Sequence, residues 1–311
     1  MRGISRRLFL LGTTGLVAGS RLAEAAADEL RFLVLGDWGK GTGRQRDVAD
    51  RMAKTAGAMD AQFIISTGDN FYPDGVKSVD DEKWATRFED VYDASALMVP
   101  WYITLGNHDH NGVLNAQVAY SKLSPRWRLP APYHKHTQLL AAGESADFFH
   151  IDTTSLIRRY PSADPQLVWL ERALAASTSV WKIVVGHHPV HAGGEHGDTE
   201  ELMVLKPLFE RYGVQVYLNG HDHHMEHVVV GDTHYLTSGA AAKPRRAQAI
   251  KGTRFVMGKR LGFMLARLTP TVMQIEFIDD EGLPLYRGRL QRKPGLAFWN
   301  HYLDPPASVV D

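Results

Sequence analysis

Cysteine is absent from the 311 residues of this chain. That excludes disulfides, thiolate metal sites and cysteine nucleophiles together. Neither sign of charge is in excess, since Lys and Arg number 35 and so do Asp and Glu. Without a global field, composition gives no argument for a nucleic-acid or acidic-polymer partner. Long apolar runs are missing too. The run Leu8–Ala18 falls far short of the ~20 residues needed to span a bilayer, so no permanent membrane anchor is expected. With 44% hydrophobic and 23% charged residues, disorder and collagen-like repeats are excluded, and the length allows one large domain or two small ones. What is abundant is histidine: there are 15, crowded most densely between His187 and His234. Imidazole is a common metal ligand that titrates near neutrality, so this crowding asks for a chemical cause.

Residues 1–25 read as an export signal. Ser5-Arg6-Arg7-Leu8-Phe9-Leu10 sets paired arginines before the apolar run, and Ala23-Glu24-Ala25 is a small-x-small site suited to a signal peptidase. The pattern fits a twin-arginine signal; the plainer alternative is a general secretory signal that happens to hold two arginines. Either predicts a periplasmic or secreted protein, and the first makes the twin-arginine translocase a transient partner. An exported chain without cysteine takes its stability from core and metals.

Beyond the signal one pattern recurs. An apolar, β-branched run ends in Gly, and metal-competent side chains follow at once. The runs are Arg31–Leu35, Gln62–Thr67, Pro100–Leu105, Trp181–Val185 and Val214–Asn219. They read as buried strands of a sheet covered on both faces. Helical patterns lie between them at Arg44–Ala56, Glu82–Tyr92, Gln166–Ala176 and Glu200–Tyr212. Alternation of strand and helix predicts an α/β fold, with ligands beyond the carboxyl ends of the strands. The last third is β-rich, at His234–Ser238, Gly262–Leu268, Val272–Ile278 and Leu285–Leu290, with Asp280-Glu281-Gly282 as a hairpin turn. No linker divides the chain, so one domain is expected over 30–292, followed by a tail at 293–311.

The five loops hold Asp37, Asp69, Tyr72, Asn107, His108, His187, His221 and His223. Any one alone is ordinary, because Gly-Asp is a common turn pair and a single His after a strand is more often structural than catalytic. Five blocks of O and N donors, all at strand ends, are another matter. His221 and His223 flank Asp222 and point to the same side of extended backbone. A hard O/N set suits Zn, Fe or Mn rather than Cu(I). The donors are too many for one tetrahedral ion and about right for two ions sharing a carboxylate.

The ordered blocks Gly36-Asp37-Trp38-Gly39, Gly68-Asp69-Asn70-Phe71-Tyr72, Gly106-Asn107-His108-Asp109, Gly186-His187-His188-Pro189 and Gly220-His221-Asp222-His223 resemble the five blocks of purple acid phosphatases, within the metallophosphoesterase superfamily. Asn115–Lys122 and Arg126-Trp127 resemble the single-domain, tartrate-resistant animal type. The similarity runs from about Leu30 to about Arg292 and leaves no room for the extra N-terminal β-domain of the larger plant type. It implies a β-sandwich of two mixed sheets flanked by helices, with a dinuclear site at the strand ends. It further implies Fe(III) held by Asp37, Tyr72 and His223, a divalent Fe, Zn or Mn held by Asn107, His187 and His221, and Asp69 bridging the two. Tyr72 matters because the position two after Asp37, a histidine ligand in many superfamily members, is Gly39 here; the alternative for Tyr72 is a buried aromatic beside Phe71. His108 and His196 match positions that would orient the phosphate and protonate the leaving alcohol.

The implied activity is acid hydrolysis of phosphate monoesters, small-molecule or protein-borne, by hydroxide held on an Fe(III)–M(II) centre. A phosphodiesterase or nucleotidase using the same centre is the nearest rival, and a non-catalytic iron-binding periplasmic protein is the more distant one. His188, His191, His224 and His227 are expected at the rim, and His110, His134, His136, His150, His234 and His301 at the surface or in packing. The run Lys243–Arg260 holds seven basic residues and no acid; it reads as a solvated loop or as a lure for anionic substrate. Two features depart from the animal type. There is no disulfide, and the segment Ser155–Pro165 is short where that type carries a longer cleavable loop, which suggests an uncovered site.

Overall fold

The computed structural model describes residues 29–292. The expected signal, the expected tail and His301 lie outside the described residues. Strands run β1 (Leu30–Leu35), β2 (Phe63–Ser66), β3 (Trp101–Ile103), β4 (Trp127–Arg128), β5 (His134–Leu139), β6 (Ser145–His150) and β7 (Trp181–Val185). They continue with β8 (Val216–Asn219), β9 (Met225–Val230), β10 (Thr233–Ser238), β11 (Thr253–Met257), β12 (Gly262–Leu268), β13 (Val272–Asp279) and β14 (Pro284–Gln291). Helices are α1 (Gly43–Met59), α2 (Leu114–Tyr120), α3 (Thr153–Ile157), α4 (Ala163–Ala176) and α5 (Leu205–Tyr212). No helix among the described residues is long and apolar enough to cross a membrane.

The strands form two sheets, ordered β14-β13-β12-β1-β2-β3-β4 and β11-β9-β10-β8-β7-β6-β5. Within the first, β1, β2, β3 and β4 are parallel, while β12, β13 and β14 add antiparallel. In the second, β6, β7, β8 and β10 are parallel, with antiparallel β5, β9 and β11 outside them. Period-two alternation sorts the side chains into layers. Phe32, Val34, Phe63 and Ile65 of one sheet meet Phe148, Ile183, Val185, Val216 and Leu218 of the other. The alternate residues Leu33, Leu35 and Ile64 pack outward under Val48 and Met52 of α1. On the opposite face Val184, Tyr217 and Tyr235 pack under Leu170 and Leu174 of α4 and Phe209 of α5. The result is the expected sandwich of two mixed sheets flanked by helices. Full burial of each such side chain stabilises by about 1.5–3 kcal/mol.

Differences from the sequence expectations have local causes. The helix expected at Glu82–Tyr92 is a π-helical turn, Trp84–Glu89, in which Asp90 N reaches Ala85 O at 3.0 Å. Trp84 and Phe88 join Trp38, Phe71, Tyr92, Trp101 and Trp127 in one aromatic cluster, and this packing overrides the α pattern. Glu200–Tyr212 divides into a 3₁₀ turn, Glu200–Val204, and α5. The expected hairpin turn joins β13 to β14, with Gly282 at φ 88°.

Strands β5 and β6 bury a histidine stack. His134 and His150 lie opposite each other with ring centroids 4.5 Å apart, and His136 sits 4.7 Å from Phe148 and 3.5 Å from Tyr102. Burial pushes His134 down to about 4. It holds His136 and His150 well below the usual imidazole value, with their neighbouring imidazoles adding to the effect.

Candidate metal centre and its relatives

The parallel strands of both sheets point their carboxyl ends at one place. From the first sheet, β1 delivers Asp37, β2 delivers Asp69 and Tyr72, and β3 delivers Asn107 and His108. From the second, β7 delivers His187, and β8 delivers His221 and His223. One sheet therefore supplies the oxygen donors and the other the metal-competent imidazoles.

The side chains fall into two groups that share Asp69. In the first, Tyr72 Oη lies 3.0 Å from Asp37 Oδ1, 2.8 Å from Asp69 Oδ2 and 3.4 Å from His223 Nε2. In the second, His187 Nε2 lies 3.3 Å from Asp69 Oδ1, 3.1 Å from Asn107 Oδ1 and 3.3 Å from His221 Nδ1. Asp69 thus turns one oxygen to each group. The two histidines that meet Asp69 and Asp37 are oriented through their other nitrogen. His187 Nδ1 is 2.9 Å from Thr67 O and His223 Nδ1 is 2.7 Å from Lys243 O. A carbonyl accepts only, so Nδ1 carries a proton in both, and each ring is turned with its Nε2 inward.

Tight backbone brings these groups together. Asp37, Asp69 and His221 have φ of 61°, 53° and 64°, the left-handed region that costs a non-glycine residue about 1–2 kcal/mol. Each follows a glycine. Gly68 has φ 100°, and a Cβ on Gly106 would lie 2.2 Å from Asp69 Oδ1. Asp109 clamps the second and third blocks: it accepts from Gly106 N at 2.8 Å, from Asn70 Nδ2 at 2.9 Å and from Gln117 Nε2 at 3.1 Å.

Electrostatics favour a cation here. Asp37 and Asp69 are buried, at 0% and 1% exposure. Burial raises both carboxyls, but His223 beside Asp37 and His187 beside Asp69 outweigh it and hold them below the ordinary value. His187 is carried up to about 9, the pull of Asp69 and Asp37 exceeding its desolvation. Burial and the same two carboxylates drive the Tyr72 phenol well above its usual value. His221 falls to about 2 through burial and the neighbouring His188 and His187. A buried anionic pair of this kind needs a compensating positive charge. Donor atoms of Asp37, Asp69 and His187 all lie within 4.8 Å of one another, as do those of His187, His188 and His221. The donor set therefore fits metal ions.

His108 donates its backbone N–H to Asp69 Oδ1 at 2.9 Å, and its Nδ1 faces Pro73 O. Its ring lies 4.3 Å from that of Tyr72. His196 is exposed, its ring 4.5 Å from His221 and its backbone N–H on Asp222 Oδ1. Three histidines expected at the rim are buried instead. His188 bonds Thr153 Oγ1 at 2.8 Å, His224 pairs with Glu226 at 2.9 Å, and His227 bonds the Tyr286 hydroxyl at 2.9 Å. The partners of His188 and His227 come from distant elements, 35 and 59 positions away, so adjacency to a ligand block was a poor guide to exposure. Two residues at the site had drawn no separate attention: Asp109, and Lys40, whose Nζ lies 3.2 Å over the Tyr72 ring.

Residues 30–225 match the calcineurin-like phosphoesterase family. Tartrate-resistant acid phosphatase type 5 of Homo sapiens is 36% identical over 305 residues, covering 88% of this chain and 94% of that protein. Purple acid phosphatase 4 of Arabidopsis thaliana is 33% identical over 286 residues, covering 83% and 82%. The chain belongs to the purple acid phosphatases. Among solved structures, GAP50, described as the anchor in the inner membrane complex of Plasmodium, aligns with a TM-score of 0.80 at 27% identity over 86% of this chain and 90% of that one. The purple acid phosphatase PPD1 from yellow lupin (Lupinus luteus) seeds aligns with a TM-score of 0.67 at 16% identity, over 86% and 55%, which speaks to fold alone. The purple acid phosphatase resemblance carried by the five blocks is thus borne out over nearly the full length of the animal relative.

Proposed function

We propose that this protein is an exported acid phosphatase that hydrolyses phosphate monoesters at a dinuclear Fe(III)–M(II) centre. Relatives that are acid phosphatases over most of the chain support the reaction class. The observation that carries the finer reading is the division of Asp69, with Oδ2 toward Tyr72 and Oδ1 toward His187. On this reading Asp37, Tyr72 and His223 hold the trivalent ion, because a phenolate is a hard anionic donor. Asn107, His187 and His221 would hold the divalent ion, with Asp69 available to both. Bound there, the ions would supply Lewis acidity toward the phosphoryl oxygens and would lower the pKa of water.

The chain's own residues do the rest. Thr67 O and Lys243 O fix the His187 and His223 rings in the binding tautomer. The His108 Nδ1 contact with Pro73 O leaves Nε2, 3.9 Å from Asp69 Oδ2, as the atom that gives a proton to the leaving alcohol. His196 faces Arg245 Nη1 through Nε2 at 2.8 Å, a contact better suited to orienting the phosphate than to delivering a proton.

Metal analysis of purified protein, joined to turnover of p-nitrophenyl phosphate and a diester counterpart, tests the proposal. Close to two ions per chain and preferential monoester turnover are expected. Preference for the diester would move the assignment to a phosphodiesterase. Metal-loaded protein without turnover of either would leave the non-catalytic reading.

A further inference from the structure

The near end of the basic run Lys243–Arg260 is sewn to the site. His223 Nδ1 donates to Lys243 O at 2.7 Å, Arg245 N donates to His223 O at 2.7 Å, and Lys259 N donates to Arg245 O at 2.7 Å. Both sides of His223 therefore fix the backbone that carries the Arg245 guanidinium. Its Nη1 donates to His196 Nε2 at 2.8 Å and lies 3.8 Å from Glu195 Oε2. The side chain keeps 30% of its surface exposed, so it is held against His196 and remains open to solvent. Lys40 comes from the β1 loop and lies over the Tyr72 ring. The carboxylates of Asp37 and Asp69 and the charges of Lys243 and Arg245 all lie near enough to act on its ammonium. Arg245 and Lys40 thus stand beside the metal-competent set, with Lys243 close by in charge and the half-exposed carboxylate of Glu195 facing Arg245.

The phosphoryl group that is cleaved is already provided for by the metal-competent set and by His108 and His196. Cations placed outside that set act on whatever the phosphate is attached to. A guanidinium presents five N–H donors in a planar fork, of which the contact to His196 uses one. Such a fork matches a carboxylate or phosphate better than a neutral alcohol.

We propose that Arg245, seated between His223 and His196, is the specificity-determining residue of this site, selecting phosphate monoesters whose leaving group carries its own negative charge, a carboxylate or a second phosphate. The proposal rests on the phosphatase reading given above. Affinity for non-hydrolysable probes tests it separately from turnover: phenylphosphonate, 4-carboxyphenylphosphonate and 1,4-phenylenediphosphonate, titrated into the metal-loaded full-length protein.

At least one charged probe is expected to bind on the order of 10-fold more tightly than phenylphosphonate. The advantage should shrink with added salt, because the contact is solvent-accessible. Arg245→Gln should bring the ratio close to one, and Arg245→Lys should keep part of it. Arg254→Gln, in the same basic run but acting on His227 and Tyr286, should leave it intact. A gain confined to the carboxylate or to the phosphonate arm names the group recognised. Equal affinities in the wild type, or a ratio that survives Arg245→Gln, overturns the proposal. Loss of p-nitrophenyl phosphate turnover in wild type with the affinity ratio intact would instead strike the phosphatase reading and leave the anion site standing.

Discussion

Tyr72 is where one side chain decides the most. A phenolate on Fe(III) gives a visible charge-transfer band, whereas carboxylate, amide and imidazole donors do not. Purified, iron-loaded protein is therefore expected to be violet to pink, and Tyr72→Phe to bleach it even where iron remains bound. Absorbance of the two proteins at matched iron content checks this, and a colourless wild type would make Tyr72 a packing residue. Asp69 has a different test. Since its two oxygens face different groups, Asp69→Ala should lower total metal below one ion per chain, as measured by elemental analysis, where loss from a single site would leave about one. The donor residues were legible because O and N donors stood directly after apolar runs ending in Gly. Arg245 and Asp109 were not, because their roles depend on contacts with His196 and Asn70, which are 49 and 39 positions away.

Elements show the limit of pattern reading from another side. The five strands that deliver the site were visible as continuous apolar runs. Strand β5 was not, because its inward positions are His134, His136 and Gln138, which a hydrophobic pattern does not register. Its companion β6 buries Phe148 and His150 on a strand that opens with the polar pair Ser145 and Asp147. The histidine stack between them has a consequence for acid tolerance. His134 has a folded value of about 4 against an ordinary 6.5, so the unfolded chain binds the proton more readily. Stability is then complete above the unfolded value and is lost as pH falls from about 6.5 toward 4. At pH 5 His134 alone costs roughly 2 kcal/mol. His134→Phe is expected to flatten the decline in melting temperature between pH 7 and pH 4.5, and an unaltered pH profile would count against this account. Asp109 shows the reverse dependence on partners. Asp109→Ala strands the N–H donors of Gly106, Asn70 and Gln117, at about 1–3 kcal/mol for each buried group. Thermal denaturation should show a drop of several degrees, with loss of bound metal.

At the scale of the whole molecule, the sandwich of two mixed sheets followed from the family resemblance, while strand alternation alone gave only α/β. The export reading concerns residues outside the described structure and has its own test. Replacing Arg6 and Arg7 with Lys should leave uncleaved precursor in the cytoplasm, and unchanged delivery would favour the general secretory route. The division of donors between the sheets reaches further. Asp37, Asp69, Tyr72 and Asn107 belong to one sheet, and His187, His221 and His223 to the other. Ions shared between them would rivet the two halves of the sandwich at one end, a cross-link that needs no cysteine. Such a rivet would stabilise only the folded chain, by about 4 kcal/mol when metal stands at a thousand times its dissociation constant. Stripping the metals with chelator and reductant should therefore lower the melting temperature by roughly 10 °C, and readdition should restore it. On the twin-arginine reading, under which the chain crosses the membrane already folded, metal acquired before transport would be what closes the sandwich for the journey.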